Sequence, residues 1–373
     1  MKDRDNIIEN FFYQRGTADS TKQAYKIQIK KYEDFTGYSI DQLINIADED
    51  EKNNIRWKNT KTREFLVNYR KQLYEEYSIN SAKLYFSRIL TFYRHYEIEI
   101  PKLPYISTKN SRHYSSITFN HLPDRDVLQQ ALNIAPQKLK PLILFLSSSG
   151  VSRIDACNIT IQDYLSATKE YHNSTNIYDA ISEMHNKDVI PTFFLIRQKT
   201  KQDYFTFCSH EAVESINTYL LTREDKLNDE SKLFNINYGH IGKSFIYINN
   251  KLGLGTVGPY NRIRAHMLRK YHASRLAEAG LSTDKINLLQ GRKVQGIAHE
   301  SYIRVKPTTL KEEYIKALPY LVVSDVNKFK TKLEQTREEL TSVKKENHEL
   351  KNTIHEEAAK AVEEILTQYK NIS

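Results

Sequence analysis

Residues 260–272 read Tyr-Asn-Arg-Ile-Arg-Ala-His-Met-Leu-Arg-Lys-Tyr-His, residues 289–293 read Leu-Gln-Gly-Arg-Lys, and residues 301–304 read Ser-Tyr-Ile-Arg. Within this span His266 and Arg269 stand three apart, Arg292 follows Gly291, and Tyr302 lies near the end. Residues i and i+3 share one face of a helix, so His266 and Arg269 are expected to converge on one anion. A guanidinium suits a phosphate because its fork of donors meets two phosphate oxygens at once. Taken alone, the stretch reads equally as a solvated basic helix, and the rest of the chain has to decide.

The chain has 373 residues, enough for two or three domains. Hydrophobic residues make up 39% and charged ones 27%, so cores can form. No apolar run is long enough to span a bilayer. Residues 1–6, Met-Lys-Asp-Arg-Asp-Asn, hold no apolar signal core, so a cytoplasmic protein is expected. The cysteines, Cys157 and Cys208, have no close partner in sequence, which fits a reducing compartment and offers no thiolate metal site. No His-Glu-x-x-His and no Gly-x-x-x-x-Gly-Lys-Ser/Thr occurs, and 11 glycines leave little room for a Gly-rich phosphate cradle. The net charge of +9 is uneven: +2 over residues 1–105, +8 over 106–322 and −1 over 323–373. A basic middle segment points to a polyanionic partner, nucleic acid first, against the plainer reading of a merely basic protein.

Residues 1–100 read as a helical block. Ser20 is expected to cap a helix over 21–36 that stops at Gly37, with Tyr25, Ile29, Tyr32 and Phe35 on its apolar face. A second helix around 63–77 buries Leu66, Tyr69 and Leu73. A third, over 81–96, buries Leu84, Ile89, Phe92 and Tyr96. Lysine-bearing faces on this block could grip a phosphate backbone or simply be wet. Residues 101–122, with Pro101 and Pro104 and a polar stretch after them, read as a linker. A second domain is expected over 123–322. It begins with helices over 124–135 and 141–148, followed by Ser149-Gly-Val-Ser-Arg-Ile-Asp155. That turn sets Arg153 at a helix start, where backbone N–H groups favour an anion; a surface pair with Asp155 is the plain alternative. Residues 191–198 and 203–208 read as two strands joined by a polar turn that carries Lys199. Further helices are expected over 210–221, 241–252 and 281–291.

The collected groups are Arg153, Lys199, His266, Arg269, Arg292 and Tyr302. They include no carboxylate pair and no metal-ligand set. Cationic side chains can stabilise the charge of a phosphoryl transition state, and a tyrosine hydroxyl can serve as the nucleophile. In order and spacing this set resembles the catalytic domain of the tyrosine recombinases, the phage-type integrases. The correspondence runs through Ser149-Gly150 before Arg153, the hairpin Lys199, His266-Met-Leu-Arg269, Gln290-Gly291-Arg292, and Tyr302, which lies 33 residues after Arg269. Thr-Phe-Cys-Ser around Cys208, His-Met-Leu-Arg-Lys at 266–270 and Leu-Gln-Gly-Arg at 289–292 look most like archaeal integrases. Two departures stand out. Arg292 takes the place of the usual histidine or tryptophan, and one extra residue separates Gly150 from Arg153.

The resemblance implies a mainly α fold with a small β-hairpin in the catalytic domain and a helical core-binding domain before it. It implies a site-specific recombinase that forms a covalent 3′-phosphotyrosine, with double-stranded DNA attachment sites as partner. It also implies a tetramer on DNA, accessory DNA-bending factors, nucleoid association, and no cofactor, metal or membrane. Tyr302 would be the nucleophile. Arg153 and Arg269 would hold the non-bridging oxygens, His266 would support the phosphate, and Lys199 (with Lys201 as competitor) would protonate the leaving oxygen. A type IB topoisomerase-like enzyme, a catalytically silent DNA-binding protein and a structural coiled-coil protein stay open as alternatives. Residues 323–373 stand outside the resemblance. Val326, Leu333, Leu340, Asn347 and Ile354 recur every seven residues, with Phe329, Thr336, Val343 and Leu350 three after the first four. This a/d pattern predicts a coiled-coil tail that pairs protomers, against a helix folded back on the catalytic domain.

Overall fold

The computed structural model describes residues 4–107, 118–292, 306–324, 336–355 and 358. It divides into two compact units, residues 1–116 and 117–373.

The first unit is all helical: α1 (Arg4–Gln14), α2 (Asp19–Thr36), α3 (Ile40–Lys52), α4 (Lys61–Glu76) and α5 (Ile79–His95). The helix expected to start after Ser20 is capped instead at Ala18, so Ser20 lies inside α2. Gly37 does end it, in the left-handed conformation. Apolar faces of all five helices enclose Phe11, Phe12, Ile29, Tyr32, Leu66, Tyr69, Ile89, Phe92 and Tyr93. Leu84, expected inside, is 51% exposed, and Ala82 and Phe86 take the buried face of α5. A charged clamp ties three helices. Arg4 forks onto Glu33 at 2.7 Å, and the same carboxylate accepts the Ile40 N–H at 2.9 Å. The buried hydroxyls of Tyr32 and Tyr93 pair at 3.2 Å, which satisfies two polar groups in an otherwise apolar core.

The second unit is built around α7 (Lys140–Ser149), which follows α6 (Arg125–Ile134). Residues 141–149 of α7 are buried without exception, so this helix forms the axis of the domain rather than an amphipathic face. Between α7 and the hairpin run α8 (Arg153–Ala156), α9 (Ile161–Thr168) and α10 (Ile177–Glu183). The hairpin is β1 (Thr192–Ile196) and β2 (Asp203–Phe207). The strands pair antiparallel with Thr192 opposite Phe207 and Ile196 opposite Asp203, as the sequence led us to expect. After it come α11 (His210–Leu221), α12 (Tyr238–Lys251), the short ladder β3 (Thr256–Val257) with β4 (Tyr260–Asn261), α13 (Ala265–Glu278), α14 (Thr283–Leu289) and α15 (Pro307–Leu321). Helices α11 and α13 both pack on α7, α15 packs on α13, and α14 on β2. The observed fold class is therefore mainly α, with the β1–β2 hairpin and the short β3–β4 ladder as its strands among the described residues. At the end of α15, the N–H groups of Val323 and Ser324 donate to the Glu211 carboxylate at 2.7 and 3.0 Å, which ties this end of the helix to α11.

Candidate active site

The site is organised by the C-terminal end of α7. Gly150 ends that helix with φ +64°, and a Cβ placed there would lie 2.4 Å from Nδ1 of His272. Both the left-handed backbone and the contact require glycine. Gly150→Ala is therefore expected to destabilise the domain by roughly 2–4 kcal/mol, from the backbone strain together with the overpacking. Thermal unfolding measures this, and an unchanged melting temperature would show that neither the backbone conformation nor the contact with His272 requires glycine.

With no side chain at 150, the backbone comes close to α13. The Gly150 carbonyl accepts Nη1 of Arg269 at 2.6 Å, and Nη2 of Arg269 donates to the Gln290 carbonyl. The amide of Gln290 returns the contact, donating to the Arg269 carbonyl at 2.9 Å and sitting 3.0 Å from Nδ1 of His272. A second guanidinium, that of Arg197 just past β1, donates to the carbonyls of Gln290 and Gly291 at 3.1 and 2.6 Å. Gly291, at φ +58°, has no space for a Cβ either, since the Tyr204 ring would be 2.7 Å away. The turn that carries Arg292 is thus held from two sides.

Arg153, His266 and Arg269 line one cleft, together with Tyr238 and Arg264. Ser152 caps α8, taking the Asp155 N–H and donating to its carboxylate at 2.7 Å. The other Asp155 oxygen accepts the Gln198 N–H at 2.9 Å. Asp155 is thereby used to fix the hairpin, and the expected alternative of a surface pair with Arg153 is not formed. Arg153 instead lies with its guanidinium carbon 3.7 Å from the centre of the Tyr238 ring, which holds it flat while leaving its N–H edges available.

The electrostatics of the cleft are one-sided. Burial, followed by Arg292 and Arg197, pulls the Arg269 pKa down to about 10, so it stays charged near neutrality. Partial desolvation and then Lys270, Arg264, Arg269 and Arg292 lower that of His266, which favours the neutral, proton-accepting imidazole. Burial and Arg197 also lower Arg292. Burial takes His272 down to about 3, with Arg269 and Arg292 adding to the effect, and it serves as a neutral acceptor within the core. Arg264, His266, Arg269 and Lys270 all sit at or within the first turns of α13. That end of a helix carries partial positive charge and favours anions. Cations crowded there against the dipole make a site that an anion would relieve.

Other expected residues fall elsewhere. Lys199 stands exposed in the turn between the strands and does not line the cleft. Lys201 is exposed too, at φ +55°, with its ammonium 3.2 Å from Gln198 Oε1. Tyr302 lies outside the described residues. Of the neighbouring tyrosines, Tyr314 is fully buried, its hydroxyl donating to the Ser148 carbonyl at 2.7 Å, and burial raises its pKa well above the ordinary value. It is structural. Sequence reading missed Arg197, Arg264 and Tyr238. Arg264 had a signal, a basic residue opening a helix; Arg197 and Tyr238 are placed only by contacts between distant segments.

No family model and no curated protein matches the sequence. Solved structures do. A lambda integrase tetramer bound to a Holliday junction aligns with a TM-score of 0.52 at 16% identity, over 82% of this chain and 78% of that one. XerH site-specific recombinase bound to a palindromic difH substrate aligns at 0.49 and 14% identity, over 83% of each chain. Tn1549 transposon integrase in complex with circular intermediate DNA aligns at 0.44 and 14%, over 82% and 97%. The fold is the tyrosine recombinase fold. Within it, the α7 turn, the hairpin, α13 and the 290–292 turn are the elements that bring basic residues together.

Proposed function

We propose that the chain is a site-specific DNA recombinase that cuts and rejoins DNA through a covalent 3′-phosphotyrosine. The observation that carries this is the cleft itself. Arg153, Arg264 and Arg269 surround a neutral His266 at the positive end of α13, a donor set shaped for a phosphodiester. In this reading the Tyr302 hydroxyl attacks a scissile phosphate. A phosphorus–oxygen bond forms to the tyrosine, the bond to the 5′-oxygen breaks, and His266 takes the tyrosine proton. Arg153 and Arg269 stabilise the charge gathered on the non-bridging oxygens. The departing 5′-oxygen takes its proton from Lys199, with Lys201 the competing donor; either must reach the phosphate from an exposed hairpin turn. Attack by a 5′-hydroxyl on the phosphotyrosine reverses the steps, and the phosphoester energy is conserved. The substrate is double-stranded DNA carrying inverted half-sites, bound by four protomers, with accessory bending proteins as further partners. The archaeal likeness rests on the sequence around Cys208, at 266–270 and at 289–292.

A suicide DNA duplex, nicked so that the short fragment bearing the released 5′-hydroxyl diffuses away, tests this. A covalent protein–DNA adduct is expected, and its absence with tight DNA binding would leave a silent DNA-binding protein. Recombinant strands from two duplexes separate a recombinase from a relaxing topoisomerase. Arg292 provides a finer test. Its place on a turn held by Arg197 and Arg269 suits a hydrogen-bond donor to phosphate, and a guanidinium, which has donors and no acceptor, cannot serve as a base. Arg292→His is expected to keep cleavage within about tenfold, the scale of one donor exchanged for another. An inactive Arg292→His protein that still binds DNA would show that the charge is required.

A further inference from the structure

Residues 336–355 form a helix, and every one of them is exposed. Leu340, Val343, Leu350 and Ile354 are exposed by 53, 51, 55 and 62%, so a continuous apolar stripe meets water. Asn347 lies within the stripe, its amide donating to the Val343 carbonyl at 3.1 Å. An isolated helix of this length is marginal in water, and among the described residues nothing covers this one. In sequence the same spacing begins upstream at Val326.

We infer that a second copy of this chain covers the stripe, as a parallel, in-register, two-stranded coiled coil. With Leu340, Asn347 and Ile354 at a and Val343 and Leu350 at d, the flanking positions carry an ordered charge pattern. Position g holds Glu339 and Glu346, and position e holds Arg337, Lys344 and Lys351. In a parallel pair, each g residue meets the e residue five places further on in the other strand. Glu339 then faces Lys344 of the second copy, and Glu346 faces its Lys351. In an antiparallel pair, g meets g and e meets e, which would set glutamate against glutamate and lysine against lysine. The charges therefore select both the partner and its direction. Asn347 adds register, because only the in-register parallel pair places the two side-chain amides opposite each other, where each satisfies the other in an apolar seam. A polar residue at a single a position also favours two strands over three or four. This inference does not depend on the chemistry proposed for the catalytic cleft.

The test uses the full chain in sedimentation equilibrium. The natural protein is expected to dimerise. Lys344→Glu combined with Lys351→Glu should weaken dimerisation by roughly 10²-fold, since twofold symmetry turns each attractive pair repulsive twice. Glu339→Lys combined with Glu346→Lys should do the same, and mixing the two altered proteins should restore association. All four positions are exposed, so the fold is not at risk, and unchanged thermal unfolding checks this. Direction is read from Leu340→Cys, which under mild oxidation should cross-link to its own counterpart well above the natural protein's background. The inference is overturned by a natural protein that stays monomeric at tens of micromolar. It is equally overturned by charge variants that associate like the natural protein, or by dimers in which Leu340→Cys fails to cross-link.

Discussion

Tyr302→Phe is expected to abolish formation of the covalent DNA complex while leaving DNA affinity within about twofold, because affinity comes from many phosphate contacts and not from one hydroxyl. The substitution removes only an oxygen, and with it the nucleophile. The surrounding tyrosines sharpen the assignment. Tyr314 cannot substitute, since its hydroxyl is buried and committed to the Ser148 carbonyl. Tyr320 is 47% exposed on α15, beyond the spacing that joins Arg269 to Tyr302. Tyr238 lies in the cleft but is stacked beneath Arg153. A suicide-substrate assay paired with equilibrium binding measures both quantities. Covalent complexes from the Tyr302→Phe protein would move the nucleophile elsewhere, and peptide mapping of the adduct would say where.

Arg269→Ala is expected to slow cleavage by roughly 10²-fold or more, the scale of losing one transition-state donor. It should also destabilise the domain. Arg269 is 4% exposed, and its guanidinium joins the carbonyls of Gly150 and Gln290, two segments far apart in sequence. Without it the buried Gly150 carbonyl loses this donor, at about 1–3 kcal/mol, whereas the Gln290 carbonyl keeps that of Arg197. Two effects from one residue call for two measurements, single-turnover cleavage under conditions where the variant is fully folded and thermal unfolding. Arg269→Lys separates them further. It keeps a charge but loses the fork, so it should recover part of the stability and little of the rate. Full cleavage by folded Arg269→Ala protein would remove Arg269 from the chemistry and leave it a structural tie.

Much of this was legible in the residues. His266 and Arg269 stand three apart on α13 and both line the cleft, as helical spacing requires. Gly150 ends α7, and the two aromatic runs pair as a hairpin. What was not legible depends on contacts that no local pattern encodes. Arg197 acts on carbonyls nearly a hundred residues downstream, and Asp155 was available in sequence to Arg153 but is used by Ser152 and Gln198. Leu84 looked apolar enough for the core, yet the five-helix packing turned Phe86 inward in its place. Helices α1 and α3 went unread although their signals were present: Ile7, Ile8, Phe11 and Phe12 keep helical spacing, as do Ile40, Leu43, Ile44 and Ala47 behind a Ser39–Gln42 capping box. The catalytic place of Lys199 rests on the resemblance alone, since the hairpin leaves it in solvent.

The Glu211 clamp on Val323 and Ser324 has a mechanical consequence. It makes the point at which the tail departs a fixed anchor on the catalytic unit, and only the residues between Ser324 and Thr336 separate that anchor from the stripe-bearing helix. In any conformation, that number of residues spans at most about 40 Å. If two copies pair through the helix, each catalytic unit is confined to a small volume around the other, at an effective concentration on the order of millimolar. A second encounter on DNA then ceases to depend on how many molecules the cell contains. The number of residues in that connection, more than the strength of the coil, would set which site separations the pair can serve.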